Sequence, residues 1–455
     1  MAPTRNNASK TTSKKTASKK TASKKTASKK TASKKTTNMR VNKKIAKAPL
    51  PPVDLNKLFP PWGSEDAKNQ TANKEATDIT VAIYHDINAY CELERLAGEN
   101  VYGCLETFSN LRTFTEGFME REITGYMSCM QSFEAEHGEF QSVTPNSRFL
   151  EFVTALGWKM FAICSHTESF RRGIKEADDR AWGCLLQKIH ENLLSIELYA
   201  HNRTLKWRDI LWVYQNYPIP GLPDMKSEIE TYMNWKVDHP HHTVITLDGK
   251  LKEPIYNGQL QKHINESIYD PKKWSGQKQD PTLRHKANGT PTNVGRQCVR
   301  CGSPVSCACR LETRAGELIE LREYSGTGTG VRALTRFRRG DILDIFMGEL
   351  LPDIVENVYP LTQNDDKSNT TTATVNSLCT ICPHQFGNWT RFISHSCRPA
   401  TQFMTRTIGN RVVCTVEVVH DILPFEEITV GYGDRYWTAL DYDCLCGHCD
   451  GSGSE

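Results

Sequence analysis

Cys444, Cys446 and Cys449 form a C-x-C-x2-C array near the C-terminus, with too little room between them for ordinary side-chain packing. Thiolates at this spacing suit a tetrahedral Zn2+ ion, which needs a fourth ligand. Spacing alone offers Cys397 or His448. Disulfides are the weaker reading because the N-terminus has no secretory segment. A second array, Cys298, Cys301, Cys307 and Cys309, reads C-x2-C-x5-C-x-C and supplies four zinc donors in a short span. Cys379 and Cys382 have no second pair nearby, so no zinc is expected there, and Cys414 lies in a strand-like run and is expected in the core. The stretch from Ser325 to Val331 holds Gly326, Gly328 and Gly330. Such glycines let a backbone approach a ligand with no Cβ in the way. The stretch lacks the Lys-Ser/Thr end of a phosphate loop, and no helical pattern follows it; a plain hairpin turn is an equal reading.

The elements that must position these groups change character along the chain. From about Ala76 to Pro240 the apolar spacing is helical. Phe149, Val153, Leu156, Met160 and Ile163 line one face, and Leu186, Ile189, Leu193 and Ile196 another. Leu205 to Tyr214 continues the pattern, so 76–240 is expected to be a helical domain with no chemistry of its own. Its Cys91, Cys104, Cys129, Cys164 and Cys184 have no metal spacing and read as small buried hydrophobes. His241 and His242 fall in a polar turn after Pro240 and are expected to be solvated. Residues 241–297 are rich in Lys, Gln, Asn and Pro and read as a linker. Beyond them lie eleven of the 16 cysteines and strand-length apolar runs, Asp341 to Leu351 and Arg411 to Val419. The C-terminal part is therefore expected to be a compact β-rich domain.

Charge is divided as sharply as pattern. Of 57 Lys and Arg against 53 Asp and Glu in 455 residues, 16 basic and no acidic residues lie between Met1 and Leu50, leaving a net charge of −12 for the rest. Four Thr-Ala-Ser-Lys-Lys pentads run from Thr16 to Lys35. They have nothing apolar larger than Ala to offset the entropy of ordering, so 1–75 is expected to be a disordered tail. It reads as a nuclear import signal or a polycation for nucleic acid, with a merely solubilising repeat as the bland alternative. Collagen-like, coiled-coil and wholly disordered classes are excluded. No apolar run approaches the ~20 residues of a membrane span, and a soluble intracellular protein is expected.

Two further segments carry a resemblance. Gly387 to Pro399 reads G-N-W-T-R-F-I-S-H-S-C-R-P, and Glu426 to Asp434 reads E-E-I-T-V-G-Y-G-D. Together with the glycine turn, the strand ending in Gly348 and Glu349, and the terminal cysteines, they resemble the SET-domain protein lysine methyltransferases in the family's order, over about a third of the chain. The resemblance implies small curved sheets with a threaded, knot-like core. It divides the C-terminal part into a cysteine cluster at 298–310, the SET domain at 311–436 and a post-SET zinc segment at 437–455. It implies S-adenosylmethionine as cofactor, held by Gly328, Thr329, Gly330, Arg391, Phe392, Ser394 and His395. It implies Tyr432 as the catalytic hydroxyl, and a substrate channel of Phe346, Val430 and Tyr432. It makes Cys397 the fourth zinc ligand beside Cys444, Cys446 and Cys449, and Cys298 to Cys309 a reduced form of the zinc-rich segment that often precedes the domain.

Departures from the family pattern are Ser394 where Asn is usual, Phe346 where Tyr is common, and Gly431 before Tyr432. Val430 stands where the family often carries Phe or Tyr; with no hydroxyl to hold a water, methylation is expected not to stop at one methyl. The implied function is a nuclear lysine methyltransferase acting on a histone or another Lys-rich chromatin protein, with the basic tail on DNA or nucleosome and no membrane partner. Its alternatives are a non-catalytic chromatin-binding module and a methyltransferase of non-histone, including cytoplasmic, substrates.

Overall fold

The structure is a computed structural model that describes residues 67–137, 148–207, 243–256, 258–276, 279–284, 297–352, 359–362, 377–433 and 444–449. All belong to one compact unit, Pro51–Glu455. The Lys-rich tail, Trp212, His241, His242 and the polar insertion Asn364 to Thr374 lie outside the described residues.

Among the described residues, six helices come first: α1 (Ala67–Gly98), α2 (Cys104–His137), α3 (Arg148–Ser165), α4 (Glu168–Glu176), α5 (Asp179–Glu191) and α6 (Leu193–Asn202). In α1 the buried Ala72, Ala76, Ile79, Ile83, Ile87 and Tyr90 recur every three or four residues, forming one apolar stripe. The stripe packs on α5 and α2. The face from Phe149 to Ile163 is buried as expected, although α3 breaks at Gly157, whose φ of 82° is not helical. The second expected face is also divided, because the chain turns at Asn192 between α5 and α6. Asp178 caps α5 by accepting from the Ala181 N–H, and Thr167 caps α4 by accepting from Phe170. Of the helical cysteines, Cys164 and Cys184 are buried whereas Cys91 and Cys104 are only partly so.

The β-rich part holds two larger sheets. The strands are β1 (Val244–Ile245), β2 (Leu251–Lys252), β3 (Ile268–Tyr269), β4 (Ile319–Tyr324), β5 (Gly328–Ala333), β6 (Ile342–Phe346), β7 (Glu349–Leu351), β8 (Tyr359–Thr362), β9 (Ser377–Cys382), β10 (Ser394–His395), β11 (Thr401–Ile408), β12 (Arg411–Val418) and β13 (Glu427–Val430). The large sheet runs β2-β1-β4-β5-β13-β11-β12-β6, with β10 beside β13; the smaller runs β8-β9-β7-β3. Alternation in β12 buries Val412, Cys414, Val416 and Val418, with Cys414 in the core as its strand position implies.

The described residues of the segment expected to be a linker pair with the β-rich part instead of running free of it. Val244 pairs with Leu321 in parallel, Ile268 with Glu349, and buried Trp274 donates its indole N–H to the Leu350 carbonyl at 3.2 Å. Two-residue strands carry no readable period, because their pairing and burial come from the neighbouring sheet rather than from local pattern.

The helices are likewise not a separate domain. Leu334, next to β5, is buried in the helical core, and Phe425 packs against it. Phe425 holds a φ of 70°, a left-handed conformation unusual for a bulky residue. It lies 6.3 Å from the Tyr84 ring and 5.2 Å from the Arg332 guanidinium. Beneath it Arg332 Nε stands 2.5 Å from Glu320 Oε1, and Arg332 donates to Asn192 Oδ1 at 2.9 Å. Ser195 donates to Glu320 Oε2 at 2.5 Å and is within 2.7 Å of the Tyr84 hydroxyl. Groups from α1, the α5–α6 turn, α6, β4 and β5 thus pair with one another in the interior, with Arg332 Nε and Glu320 Oε1 meeting as an ion pair rather than a hydrogen bond.

Candidate active site and metal centres

The glycine turn joins β4 to β5, with Tyr324 opposite Gly328. Its glycines serve different ends. Gly328 has a φ of 83° and open space on its Cβ side, the geometry that lets a ligand approach. A Cβ on Gly330 would lie 2.4 Å from Glu427 Oε1 and 2.9 Å from Ser394 Oγ, so this position is small to admit the chain's own side chains. Burial pushes the Glu427 carboxyl up, partly offset by a hydrogen bond from Ser394. Glu427 Oε1 and the Tyr324 hydroxyl have no partner among the described residues. Gly330→Ala is therefore expected to destabilise the chain by about 1–3 kcal/mol through overpacking, with the loss largely reversed when Glu427 is also replaced by Ala; thermal unfolding of the two variants checks this.

From the turn, Ser394 leads into β10, which runs parallel to β13 with His395 opposite Val430. Tyr432 follows on. Its backbone N–H donates to His395 Nδ1 at 3.1 Å, and its hydroxyl donates to the Ile393 carbonyl at 2.7 Å. Around it the apolar core includes buried Val430, Phe392 and Phe346, the last 4.8 Å from the Phe403 ring. The segment before β10 is fastened at the N-terminal end of the 3-10 turn Trp389–Phe392. Asn388 donates to the Ile345 carbonyl at 2.9 Å, and Trp389 donates to Asp344 Oδ2 at 2.8 Å. Burial raises the Asp344 carboxyl.

Arg391 is 3% exposed, and none of its guanidinium nitrogens has a hydrogen-bond partner among the described residues. The cation lies 4.8 Å from the Tyr256 ring and 5.5 Å from that of Phe392. Burial lowers its pKa to about 10. A buried, unpaired guanidinium is costly, and the site has the charge to receive an anion. Tyr256 comes from the segment expected to be a linker, where nothing local marks it, whereas Glu427 stands within the E-E-I-T-V-G-Y-G-D run.

The C-terminal thiols converge. Cys397 Sγ is 3.4 Å from Cys449 Sγ and 3.9 Å from Cys444 Sγ, and Cys446 Sγ is 3.6 Å from Cys449 Sγ. His448, the other donor that spacing allowed, contributes its backbone N–H to Cys446 Sγ at 3.4 Å. His395 Nε2 approaches Cys397 Sγ at 3.5 Å, and the donor atoms of His395, Cys397, Cys444 and Cys446 lie within 4.8 Å of one another. Burial alone would raise the Cys446 thiol, but backbone N–H groups of Cys397 and His448 bring it down to about 6.

The second cluster, Cys298, Cys301, Cys307 and Cys309, also gathers its sulfurs within 4.8 Å. It grips the β11–β12 turn. Val299 N–H donates to Thr407 O at 3.0 Å, Cys307 N–H to Gly409 O at 3.3 Å, and Gly409 N–H to Cys298 Sγ at 3.4 Å. At Gly409, with a φ of 63°, a Cβ would lie 2.1 Å from the Cys309 carbonyl oxygen. Against the effect of burial, backbone donors including Gly409 lower the Cys298 thiol to about 6. All eleven cysteines of the β-rich part are free. Four convergent sulfurs with backbone donors to a thiolate form a donor set that fits tetrahedral zinc. Cys379 and Cys382 join neither cluster.

A glycine turn, an S-H-S-C segment and a strand leading to a tyrosine beside a thiol cluster are thus brought together in the β-rich part. Residues 328–433 match the SET domain family, and the chain carries a SET domain in its C-terminal part. A SET domain-containing protein of Phaeosphaeria nodorum is 29% identical over 355 residues, an alignment covering 70% of this chain and 55% of that protein. The chain thus spans about half the length of the curated relative it matches. Among solved structures, KRYPTONITE in complex with mCHG DNA and SAH is similar at 17% identity and a TM-score of 0.28, over 43% of this chain and 47% of that one. The Neurospora SET domain protein DIM-5, a histone lysine methyltransferase, is similar at 14% identity and a TM-score of 0.26, over 45% and 98%. No described helix is long and apolar enough to cross a membrane.

Proposed function

We propose that the chain is an S-adenosylmethionine-dependent protein lysine N-methyltransferase. The observation that carries this reading is Tyr432, anchored at its N–H by His395 and at its hydroxyl by the Ile393 carbonyl, beside a SET glycine turn. The unpaired Arg391 guanidinium fits the carboxylate of the cofactor, and the open side of Gly328 with Thr329 fits the approach of its backbone-facing part. When bound, the cofactor supplies a methyl group on a sulfonium that is already a good leaving group.

The chain's residues then have two tasks. They must align the lysine nitrogen, and they must present it neutral. A lysine with a reference pKa of about 10.4 is almost wholly charged at neutral pH, and an apolar wall of Phe346, Val430 and Phe392 disfavours the cation. The Tyr432 oxygen orients the amine. The zinc ligands are Cys397, Cys444, Cys446 and Cys449 in one centre and Cys298, Cys301, Cys307 and Cys309 in the other. The folded body, net acidic beyond Leu50, suits a Lys-rich chromatin protein such as a histone, with the basic tail for DNA or nuclear import.

Labelled methyl transfer to nucleosomes, free histones and cell extract tests the reading. Tyr432→Phe is expected to keep cofactor binding by calorimetry while losing roughly a hundredfold in transfer, and the wild-type product is expected to carry more than one methyl by mass spectrometry. A zinc-loaded chain that binds no cofactor would instead be a non-catalytic chromatin module.

A further inference from the structure

We infer that His395 is a positioning residue that ties the C-terminal metal centre to the backbone of Tyr432; this rests on the methyltransferase reading for the importance of Tyr432, but its metal half stands alone. The argument begins with which nitrogen does what. The Tyr432 N–H can only donate, so His395 Nδ1, 3.1 Å away, is the acceptor. In the neutral ring the proton then resides on Nε2. That nitrogen is 3.5 Å from Cys397 Sγ, so it donates to the sulfur. One imidazole therefore joins a metal thiolate to the residue that carries the reacting hydroxyl, from a strand position paired in parallel with Val430, two residues before Tyr432.

Nε2 could in principle coordinate the metal itself, since five donor groups surround a four-coordinate position. The sulfurs decide between these arrangements. Tetrahedral zinc with Zn–S near 2.3 Å sets sulfurs about 3.8 Å apart, and Cys449 stands 3.4 Å from Cys397 and 3.6 Å from Cys446. Cys449 completes the four-sulfur set and leaves His395 as a hydrogen-bond donor to it, as outer partners of metal ligands commonly are. The Cys397 N–H, donating to Cys446 Sγ at 3.4 Å, reinforces the same edge of the centre.

The two bonds can be severed separately in the full zinc-loaded chain. His395→Asn places a carbonyl near Nδ1 and keeps an acceptor for Tyr432 while losing the donor to Cys397. His395→Gln places an N–H near Nε2 and keeps the donor while losing the acceptor. His395→Asn is expected to release one zinc to a chromophoric chelator about tenfold faster or more, with His395→Gln close to wild type. Transfer is expected to fall most in His395→Gln. The zinc of the Cys298 cluster, retained in every variant, shows that the chain is folded. Cobalt in place of zinc is expected to give a four-thiolate spectrum that is the same in wild type and His395→Asn.

A spectrum that changes on substitution would make His395 a ligand and overturn the inference, as would equal zinc release from all three proteins. If wild type binds no S-adenosylmethionine, the methyltransferase reading fails while the zinc-release comparison still decides the bridge to the metal.

Discussion

Replacing Arg332 by Met is expected to cost roughly 3 kcal/mol of stability, because it takes the nearer of two guanidiniums from the buried Glu320 carboxylate and leaves only Arg322, at 3.5 Å, as counter-charge. Both side chains are close to fully covered, at 11% and 9% exposure. The carboxylate cannot turn to solvent, and it keeps only the Ser195 hydroxyl and the more distant Arg322 guanidinium. Asn192 also loses the donor it accepts from. The pair matters less as a source of net energy than as a matched set, so Arg332→Met with Glu320→Leu is expected to recover most of the loss. Urea unfolding followed by helical circular dichroism measures this. Because α1, α5 and α6 contribute to the same network as β4 and β5, helical signal and β-sheet tryptophan fluorescence should lose stability together. Helices that kept their midpoint while the sheet lost its own would show that the two layers fold independently.

Metal removal is the second large effect. The chain is expected to hold two zinc ions, one per thiol cluster, and Cys397→Ser to reduce the count to one and abolish methyl transfer. Structural zinc in small domains is worth on the order of 10 kcal/mol of coupled folding free energy, far more than the few apolar contacts available to residues 444–449, where Leu445 is exposed. Loss of the ion should therefore free this segment while the sheet persists. At the other centre the consequence differs. Cys298→Ser should loosen the β11–β12 turn that the cluster holds through Val299, Cys307 and Gly409, lowering the thermal midpoint of the sheet. Metal content by mass spectrometry, together with thermal unfolding with and without chelator, distinguishes the two variants; a chain that retains both ions after Cys397→Ser would remove Cys397 from the ligand set.

Much of the site was legible in sequence because its chemistry is local. The S-H-S-C run, the E-E-I-T-V-G-Y run ending at Tyr432 and the cysteine arrays declare themselves over a few residues, and the sulfurs of each array gather in the structure. Helix faces were legible for the same reason, since Phe149 to Ile163 repeat a period long enough to count. The turns at Gly157 and Asn192 were not, because a helical apolar rhythm can continue across a break when both segments face one core. The joining of helices to sheet depends on Asn192, Ser195, Glu320 and Arg332, which are distant in the chain and polar; composition marks such residues for the surface, and only their mutual pairing allows them inside. At Gly330 the sequence marks a need for smallness without showing its neighbours on the Cβ side, Glu427 and Ser394, both distant in the chain and polar.

The short strands of the segment before Cys298 carry a consequence for solubility. Without β1 and β2, β4 would present a row of open backbone donors and acceptors beside the apolar Ile319 and Leu321, a template for cross-chain pairing and aggregation. The chain instead ends its large sheet with β2, two residues long, where Lys252 reaches Glu323 at 2.5 Å. A brief, charged margin of this kind offers another strand almost nothing to extend. The stretch that looked like mere spacing thus works as a hem on the sheet, leaving the edge beside β4 little that another chain could pair with.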